Sequence, residues 1–265
     1  MPIGAQDIVP LSGNLAKKVA ALKIKKYRDI HRAFLAEGVR LCEEALKTNT
    51  KILDVIVTRE SLEQNRISAL VQKAHETGLS IHLATSNQLV NISDEKTPQG
   101  VAFVIQKPDA TFVKTAFSRL LVACENIQDP GNLGAIFRTA VWFGIKSIIL
   151  SEGCVDPYNS KVVRGSMGAI FRLDIFAKEN LTKTIQKLRK NGYRAIGTVV
   201  GAENPIHNVI STDKDILIVG NEANGLSREL LECVDVPLSI PGQGEIESLN
   251  VAIATAICLY HFSHH

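Results

Sequence analysis

The chain has 265 residues, of which 45% are hydrophobic and 22% charged, and a formal net charge of +3. This composition is typical of a globular protein with a sizeable core, in one large domain or two ordinary ones. No uncharged apolar run approaches the roughly 18 residues of a membrane-spanning helix. The first residues also lack the basic and apolar regions of a secretory signal. We therefore expect neither a membrane protein nor a secreted one.

The five cysteines are scattered along the chain and form no CxxC pair. An odd, dispersed set argues against a disulfide framework and against a zinc site. No other cluster of metal-ligating residues stands out, and the histidines near the C-terminus are too local to form a structural site. We expect reduced thiols, a cytoplasmic location and no bound metal.

Basic charge is concentrated near the N-terminus. Residues 17–40 hold eight basic and two acidic side chains, whereas residues 116–265 hold 14 basic and 15 acidic ones. An amphipathic helix is predicted here, with an apolar stripe of Leu15, Val19, Leu22 and, as a further candidate, Ile24. A solvated helix face would explain the charges, but a surface for RNA phosphates would too. The candidate RNA-binding residues are Lys17, Lys18, Lys25, Lys26, Arg28 and Arg32.

Short strands and helices alternate in the first part of the chain. The hydrophobic pattern predicts strands at residues 34–38, 51–58, 79–84 and 100–107. Helices are predicted over Val39–Leu46 and 67–75. A stretch with one proline, several small polar residues and no periodicity follows, and it predicts a linker. The expected division is a domain at residues 1–107, a linker at 108–117 and a second domain at 118–265.

Strands and helices also alternate in the second part of the chain. Strands are predicted at residues 119–126, 146–150, 193–200, 215–221 and 235–240. Helices are predicted at 132–143, 157–166, 180–191, 226–233 and 249–261. Continuous apolar strands separated by helices indicate an α/β fold with a mostly parallel sheet that is buried on both faces. Ligands of such sheets bind beyond the carboxyl ends of the strands, where three loops stand out.

The first loop is ENIQDPGNLGAIFRTAVWFG. Pro130 and Gly131 predict a turn, and Asn132 is a suitable N-cap for the helix that follows. Arg138 lies off the apolar stripe of that helix, where it could reach a ligand in the loop. A surface arginine on a capped helix is the alternative.

The second loop is ILIVGNEANGLSRE. Residues 220–227 have the glycine spacing of a Walker A loop. Leu226 occupies the position where that loop needs a lysine, so a nucleotide-triphosphatase site is rejected. No G-x-G-x-x-G follows any strand, so a dinucleotide site is unsupported. What remains is the carboxylate of Glu222 between Asn221 and Asn224, at the end of a strand. A turn with helix-capping residues is the alternative.

The third loop is IPGQGEIESLNVA, which runs into an apolar helix. Backbone N–H groups near Gly242, Gly244 and Ser248 could serve a polar ligand. Ser248 and Asn250 would equally suit the caps of that helix.

Taken together, the three loops closely resemble the three motifs of the SpoU/TrmH family, in the same order. The first motif is N-x-G-x-x-x-R at residues 132–138, the second G-N-E-x-N-G at 220–225, and the third I-P-G-x-G-x-x-x-S-L-N-V-A at 240–252. Residues 156–175 also resemble the central segment of the family, and residues 25–46 its N-terminal substrate-binding extension. Three departures are mild, because Trp142, Ala223 and Gly242 replace residues that do no chemistry. The family consists of S-adenosylmethionine-dependent RNA 2′-O-ribose methyltransferases of the SPOUT class.

This resemblance implies a C-terminal SPOUT domain with a mostly parallel sheet whose chain is threaded into a deep trefoil knot, a rare exception to the rule against knots. A smaller α/β RNA-binding domain, similar to ribosomal proteins, would precede it. The implied cofactor is S-adenosylmethionine, with RNA as the substrate, most plausibly 23S-type ribosomal RNA. Family members are usually homodimers in which the first motif of one chain completes the site of the other.

The resemblance also implies the site residues. Those expected to act in catalysis are Arg138, Asn132, Glu222, Ser248 and Asn250. Those expected to bind the cofactor are Thr198, Gly201, Gly220, Asn221, Ile240 and Leu249. A tRNA methyltransferase of the same family is one alternative, and a non-catalytic RNA-binding or ribosome-assembly factor on the same fold is another.

Overall fold

The computed structural model of the chain describes residues 7–109, 119–221 and 223–263. Most of the predicted linker at 108–117, and all of Glu222, lie outside these described residues. The chain folds into two compact units, the first formed by Met1–Asp109 with Tyr158–Phe171 and the second by Ala110–Pro157 with Arg172–His265. No helix in the described ranges is long and apolar enough to cross a membrane.

The N-terminal part contains a five-stranded mixed sheet. In chain order its elements are β1 (Ile8–Pro10), α1 (Gly13–Ala21), α2 (Lys25–His31), β2 (Ala33–Glu37), α3 (Val39–Leu46), β3 (Ile52–Thr58), α4 (Arg59–Leu62), α5 (Asn65–Glu76), β4 (Ile81–Ala84), α6 (Ser86–Ile92) and β5 (Val101–Gln106). The strand order is β1-β4-β3-β5-β2. Strand β4 pairs in parallel with β1 and β3, whereas β5 pairs in antiparallel fashion with β2 and β3.

The predicted amphipathic helix near the N-terminus is two helices rather than one. Helix α1 ends at Ala21, and α2 begins at Lys25 after a turn. Val19 and Leu22 are buried as predicted, but Ile24 is 56% exposed. The guanidinium of Arg28 explains the break, because its Nη1 donates to the carbonyl oxygens of Leu22 and Lys23, each at 2.8 Å.

The remaining chain contains a six-stranded sheet whose described pairings are all parallel. Its elements are β6 (Leu120–Cys124), α7 (Pro130–Trp142), β7 (Ser147–Ser151), α8 (Ser160–Gly165), β8 (Asp174–Glu179), α9 (Leu181–Lys190), β9 (Arg194–Thr198), β10 (Asp215–Val219), α10 (Arg228–Leu231), β11 (Val236–Leu238) and α11 (Val251–Ser263). Short 3₁₀ helices cover Ala169–Arg172 and Ile206–Asn208. The strand order is β11-β9-β10-β6-β7-β8. The α/β class and the parallel sheet are confirmed, whereas the threading of a knot stays a prediction.

The parallel sheet is buried because its strands are apolar throughout. All five residues of β6 and all five of β10 are buried. Helix α9 packs its apolar stripe against them, with Leu181, Ile185 and Leu188 in the same core cluster. Since every strand runs the same way, the loops that follow β6, β10 and β11 leave from one edge of the sheet.

The segment Tyr158–Phe171 is grouped with the first unit although it follows β7 in the chain. The Tyr158 ring lies 4.8 Å from the Phe34 ring, centroid to centroid. The Nε of Arg164 lies 2.7 Å from Oε1 of Glu95. The spatial units and the predicted chain boundaries therefore differ over these residues, and the functional division at residues 107 and 118 stays a prediction.

Candidate active site

The first and second motifs lie side by side at the carboxyl edge of the parallel sheet. Strands β6 and β10 are neighbours, with Cys124 opposite Val219 at their ends. The backbone N–H of Glu125 continues this pairing by donating to the carbonyl oxygen of Val219 at 2.9 Å. The two loops that follow these strands therefore start from adjacent points.

Helix α7 is capped by Asp129 and not by Asn132, which corrects the prediction. Oδ1 of Asp129 accepts from the backbone N–H of Asn132 at 2.8 Å, and Pro130 occupies the first turn. Proline suits that position because its missing N–H would have no helical partner there. Asn132 is thus the third residue of the helix, and its side-chain amide is not needed for capping.

The amide of Asn132 instead meets the third motif. Nδ2 of Asn250 donates to Oδ1 of Asn132 at 2.9 Å. Oδ1 of Asn250 accepts from the backbone N–H of Ala252 at 2.9 Å and of Ile253 at 3.4 Å. These two donors fix which way the Asn250 amide faces, since only its oxygen can accept them. Asn250 therefore caps α11 and also joins the first motif to the third.

The second-motif loop (residues 220–226) is held tightly. A side chain at Gly220 would place its Cβ 2.3 Å from the carbonyl oxygen of Gly225, so only glycine fits. Oδ1 of Asn221 accepts from the backbone N–H of Ala223 at 2.9 Å and of Asn224 at 3.3 Å. Nδ2 of Asn221 donates to the carbonyl oxygen of Asn126 at 3.0 Å. Both ends of this amide are thus engaged by protein groups, and its contact with a cofactor stays a prediction.

An open cleft of about 650 Å³ lies where the three motifs meet. Half of its ten lining residues are asparagines, which offer both hydrogen-bond donors and acceptors. The lining residues are Asn126, Gln128, Asp129, Asn132, Asn221, Ala223, Asn224, Gly225, Ser227 and Asn250. The structure thus brings together three predicted site residues: Asn132, Asn221 and Asn250.

Arg138, Ser248 and Glu222 are placed differently. Arg138 is exposed on α7, one helical turn before Trp142, and it is not among the described residues that line the cleft. Ser248 lies in residues 241–250, all of which are exposed. Glu222 falls outside the described residues.

Five of the six predicted cofactor residues lie at or just after the ends of three adjacent strands, β11, β9 and β10, whereas Leu249 lies just before α11. Oγ1 of Thr198 donates to the carbonyl oxygen of Ile218 at 3.3 Å. Ser239, next to Ile240, is tied to the loop of Gly201, because its Oγ donates to the carbonyl oxygen of Ala202 at 2.8 Å. Gly201 has a φ of +73° and open space around its Cβ position, so the loop backbone there can be approached closely. Leu249 is 47% exposed just before α11.

The thiols near this edge are not nucleophiles. Sγ of Cys154 donates to the carbonyl oxygen of Cys124 at 3.3 Å. Burial raises the pKa of Cys124 well above its usual value and raises the pKa of Cys154 as well. Both thiols therefore stay protonated at neutral pH, which disfavours nucleophilic chemistry by either of them.

Five of the six basic residues predicted to bind RNA are exposed. Lys17 and Lys18 lie on α1 and Lys25 and Lys26 on α2, while Arg32 follows α2 and forms an ion pair with Asp109. Arg28 does not fit the prediction, because it is only 4% exposed and its guanidinium fixes the turn before α2.

Glu125, which is buried, and Ser227, which is half-buried, form a hydrogen-bonded pair that the sequence analysis missed. Glu125 is 8% exposed, and its carboxylate accepts from both the backbone N–H and the hydroxyl of Ser227. A carboxylate directly after a fully apolar strand is the sequence signal that could have drawn attention to it.

Comparisons with known proteins agree with this geometry. Residues 119–260 match the model of the SpoU rRNA methylase family. Residues 14–102 match the model of an MRM3-like substrate-binding domain. The chain is 34% identical, over 91% of its length and 92% of the relative's, to the 23S rRNA (guanosine(2553)-2′-O)-methyltransferase RlmP of Bacillus subtilis (strain 168). It is 30% identical, over 84% of its length and 92% of the relative's, to the 23S rRNA (guanosine-2′-O-)-methyltransferase RlmB of Coxiella burnetii.

Solved structures with the same fold include two of similar size. A putative RNA methyltransferase of the TrmH family from Porphyromonas gingivalis superposes with a TM-score of 0.81 at 31% identity, covering 95% of this chain and 98% of that one. An AdoMet-bound rRNA methyltransferase from Sinorhizobium meliloti superposes with a TM-score of 0.83 at 28% identity, covering 96% and 97%. The chain therefore belongs to the SpoU rRNA methylase family, the S-adenosylmethionine-dependent RNA ribose 2′-O-methyltransferases that its three motifs predicted.

Proposed function

We propose that this protein methylates the 2′-hydroxyl of one ribose in 23S-type ribosomal RNA, with S-adenosylmethionine as the methyl donor. The observation that carries this proposal is the bond between Asn132 and Asn250, which holds the first and third motifs together beside the second-motif loop. The names of the relatives in Bacillus subtilis and Coxiella burnetii support 23S ribosomal RNA as the target. Action on ribosomal RNA would place the protein in the cytoplasm.

The residues present fit the cofactor. An adenosine and an amino acid need backbone donors and acceptors that can be approached closely, and the loop containing Gly201 offers them at the ends of adjacent strands. The residues proposed to hold the cofactor are Thr198, Gly201, Gly220, Asn221, Ile240 and Leu249. When bound, S-adenosylmethionine supplies an electrophilic methyl group on a sulfonium.

Arg138 is proposed to act on the ribose hydroxyl and the neighbouring phosphate. A guanidinium does not deprotonate readily in proteins, so a role as a general base is unsuitable. Its N–H groups can instead donate bidentate hydrogen bonds to the phosphate and stabilise the ribose 2′-oxygen as that atom loses its proton. The proton then passes to a phosphate oxygen or to water.

The other proposed catalytic residues position these groups. Asn132 orients the arginine or the RNA backbone, and Asn250 and Ser248 fix the third motif and the substrate. Glu222 is proposed to hold Asn132, Arg138 or the ribose through charge-assisted hydrogen bonds. Because both reactants are bound in place, positioning supplies much of the rate enhancement.

A homodimer is proposed to complete the site. Helix α11 is apolar on all sides, and such helices are normally covered, yet Ile253 and Tyr260 are 53% and 62% exposed. With Ile257 they form one stripe at helical spacing, and Tyr260 meets Phe143, the residue that follows α7, edge to face. The adjacent Trp142 is 83% exposed. A second copy of this chain would cover this surface, and Arg138, one turn away, would then reach the partner's cleft.

The proposal is tested first with Arg138→Ala. We expect methyl transfer to ribosomal RNA to fall at least a hundredfold, because the group that stabilises the developing charge is gone. The affinity for S-adenosylmethionine, measured by calorimetry, should remain within about twofold. Lys146→Ala, which removes an exposed cation just beyond the same helix, serves as the matched control and should retain full activity.

Retained turnover in Arg138→Ala would overturn the role of this arginine. Methylation of tRNA but not of ribosomal RNA in the same assay would favour a tRNA enzyme. If the wild-type protein bound no S-adenosylmethionine at millimolar concentration, a non-catalytic RNA-binding factor would replace the proposal.

A further inference from the structure

Glu125 holds both ends of the second-motif loop. At the start of the loop, its backbone N–H donates to the carbonyl oxygen of Val219 at 2.9 Å. At the end, Oε2 accepts from the backbone N–H of Ser227 at 2.7 Å, and Oε1 accepts from the Ser227 hydroxyl at 2.6 Å. A single residue at the end of β6 thus brackets residues 220–226.

The residue after Glu125 holds Asn221, the second residue of the same loop. The carbonyl oxygen of Asn126 accepts from Nδ2 of Asn221 at 3.0 Å. Asn126 has a φ of +54°, and its backbone N–H donates to the hydroxyl of Ser151 at 2.9 Å. Glu125 and Asn126 therefore contact the residues that flank the second-motif loop and Asn221 within it.

Ser227 links this arrangement to the next helix. Its hydroxyl donates to Glu125 and also accepts from the backbone N–H of Leu230 at 3.3 Å, as the N-cap of α10. The backbone N–H and the hydroxyl of Ser227 both donate, so a carboxylate accepts both bonds with its two oxygens. A carboxamide has only one accepting oxygen, and the hydroxyl would have to turn and accept from the amide nitrogen instead.

We propose that Glu125 is a positioning residue for cofactor binding, which acts through Ser227 by fixing the conformation of the second-motif loop. The inference rests on the proposed function of that loop. Gly220 and Asn221 lie in it, and Gly220 leaves no space for its backbone to shift toward Gly225. Loss of the Glu125 carboxylate would let the end of the loop move and would lower cofactor affinity, while Arg138, Asn132 and Asn250, which lie outside the loop, stay in place.

The same sheet contains a matched control at its opposite edge. Asp215, at the start of β10, is fully buried, and its carboxylate accepts from the backbone N–H of Thr212 at 2.7 Å and from the Thr212 hydroxyl at 2.6 Å. It also accepts two bonds from Arg194, at 2.9 and 3.0 Å. Asp215 therefore accepts the same pair of bonds as Glu125, from the N–H and the hydroxyl of one residue. It lies at the amino end of its strand, away from the motif loops, so its loss should affect stability alone.

The test compares E125Q, S227A and D215N as full-length proteins. In E125Q only one side-chain oxygen is left to accept from Ser227 and the charge-assisted bond is lost, so we expect the Kd for S-adenosylmethionine to rise about tenfold or more. Saturating cofactor should hold the loop in its bound conformation, so kcat should then stay within about twofold. The double variant E125Q/S227A should be no worse than E125Q, because Glu125 acts through Ser227. D215N should lower the Tm with no change in Kd.

Hydrogen exchange provides a readout that needs no cofactor. Peptides that cover residues 220–226 should exchange faster in E125Q than in the wild type, and those in β10 should not. An unchanged Kd and unchanged exchange in folded E125Q would overturn the inference, as would an equal rise in Kd in D215N. If the wild type bound no S-adenosylmethionine, the proposed function would fail, while the exchange data would still decide whether Glu125 fixes the loop.

Discussion

Asn250 performs two tasks with one amide. Its oxygen caps the first turn of α11, and its nitrogen donates to Asn132 in the first motif. Serine and aspartate also cap helices well, but neither can make the second bond in the same way. The two tasks can therefore be separated by substitution.

We predict that Asn250→Asp retains the stability of the wild type but lowers kcat about tenfold to a hundredfold. The carboxylate still accepts from the start of α11, yet it has no N–H for Oδ1 of Asn132. Oδ1 of Asn132 must then face a negative charge, or the amide must rotate. After that rotation Oδ1, rather than Nδ2, points into the cleft. A lost or reversed bond of this kind costs about 1–3 kcal/mol, which corresponds to the stated change in rate.

Thermal unfolding and single-turnover kinetics check this prediction. Asn250→Ser should behave like Asn250→Asp, whereas Asn250→Ala should also lose about 1 kcal/mol of stability with the cap. Full activity in Asn250→Asp would mean that the bond to Asn132 has no part in methyl transfer.

Single residues show which features of the site could be predicted from the sequence and which could not. The motif resemblance implied that Asn132 and Asn250 belong to one site, and the structure places them within hydrogen-bond distance, while their catalytic roles stay predictions. The sequence analysis assigned the cap of α7 to Asn132, although Pro130 is the signal that favours the preceding Asp129 as the cap. Arg28 was wrongly predicted to bind RNA, since its charge suggests exposure and its role in a turn depends on carbonyls that the sequence does not reveal.

At the scale of elements, helix α11 exposes a stripe of apolar side chains that a single chain does not cover. Its exposed stripe of Ile253, Ile257 and Tyr260 lies opposite the buried Cys258 and Leu259. Burying such side chains contributes about 1.5–3 kcal/mol each when they are fully covered. Covering the exposed parts of these side chains would therefore favour the association of two protomers.

We predict that Ile253→Glu converts the proposed dimer to a monomer in analytical ultracentrifugation, because a charge in a covered apolar stripe is costly. If Arg138 serves the partner's site, the monomer should also lose methyl transfer. Leu231→Glu, which changes an apolar residue that is 40% exposed on α10, is the matched control and should remain dimeric. An active monomer would contradict the proposal that two chains build the site.

The predicted elements were right where the hydrophobic pattern was strong. Strand β2 and helix α3 lie where the sequence placed them, and α9 follows its amphipathic stripe closely. Strand β8 was missed because it is a charged edge strand that, among the described strands, pairs with β7 alone. Helix α6 was missed because it has only seven residues, although the Thr85–Gln88 capping box signals its start.

At the scale of the whole molecule, the basic charge of the N-terminal part is proposed to bind the RNA backbone. We predict that charge reversal of the four exposed lysines weakens RNA binding and lowers its dependence on salt. Each lost phosphate contact should reduce the slope of log K against log salt by about 0.9, or about 0.7 for single strands. The lysines are Lys17, Lys18, Lys25 and Lys26.

Binding to a ribosomal RNA fragment at several salt concentrations checks this prediction, with cofactor affinity as a test of folding. Lys183 and Lys190 lie exposed on α9 of the other unit, and their reversal is a control matched to a second variant that reverses Lys25 and Lys26 alone. If that control reduced the salt dependence equally, RNA recognition would not be a property of the N-terminal helices.

The grouping of Tyr158–Phe171 with the first unit limits how this family can exchange its recognition modules. A gene fusion at the linker would transplant residues 1–109 but leave behind the segment whose Tyr158 and Arg164 pack with Phe34 and Glu95. A new recognition module must therefore match a stretch encoded inside the catalytic half. The RNA targets would then diversify through gradual changes in residues 1–109 and 158–171 together, rather than through exchange of a whole domain.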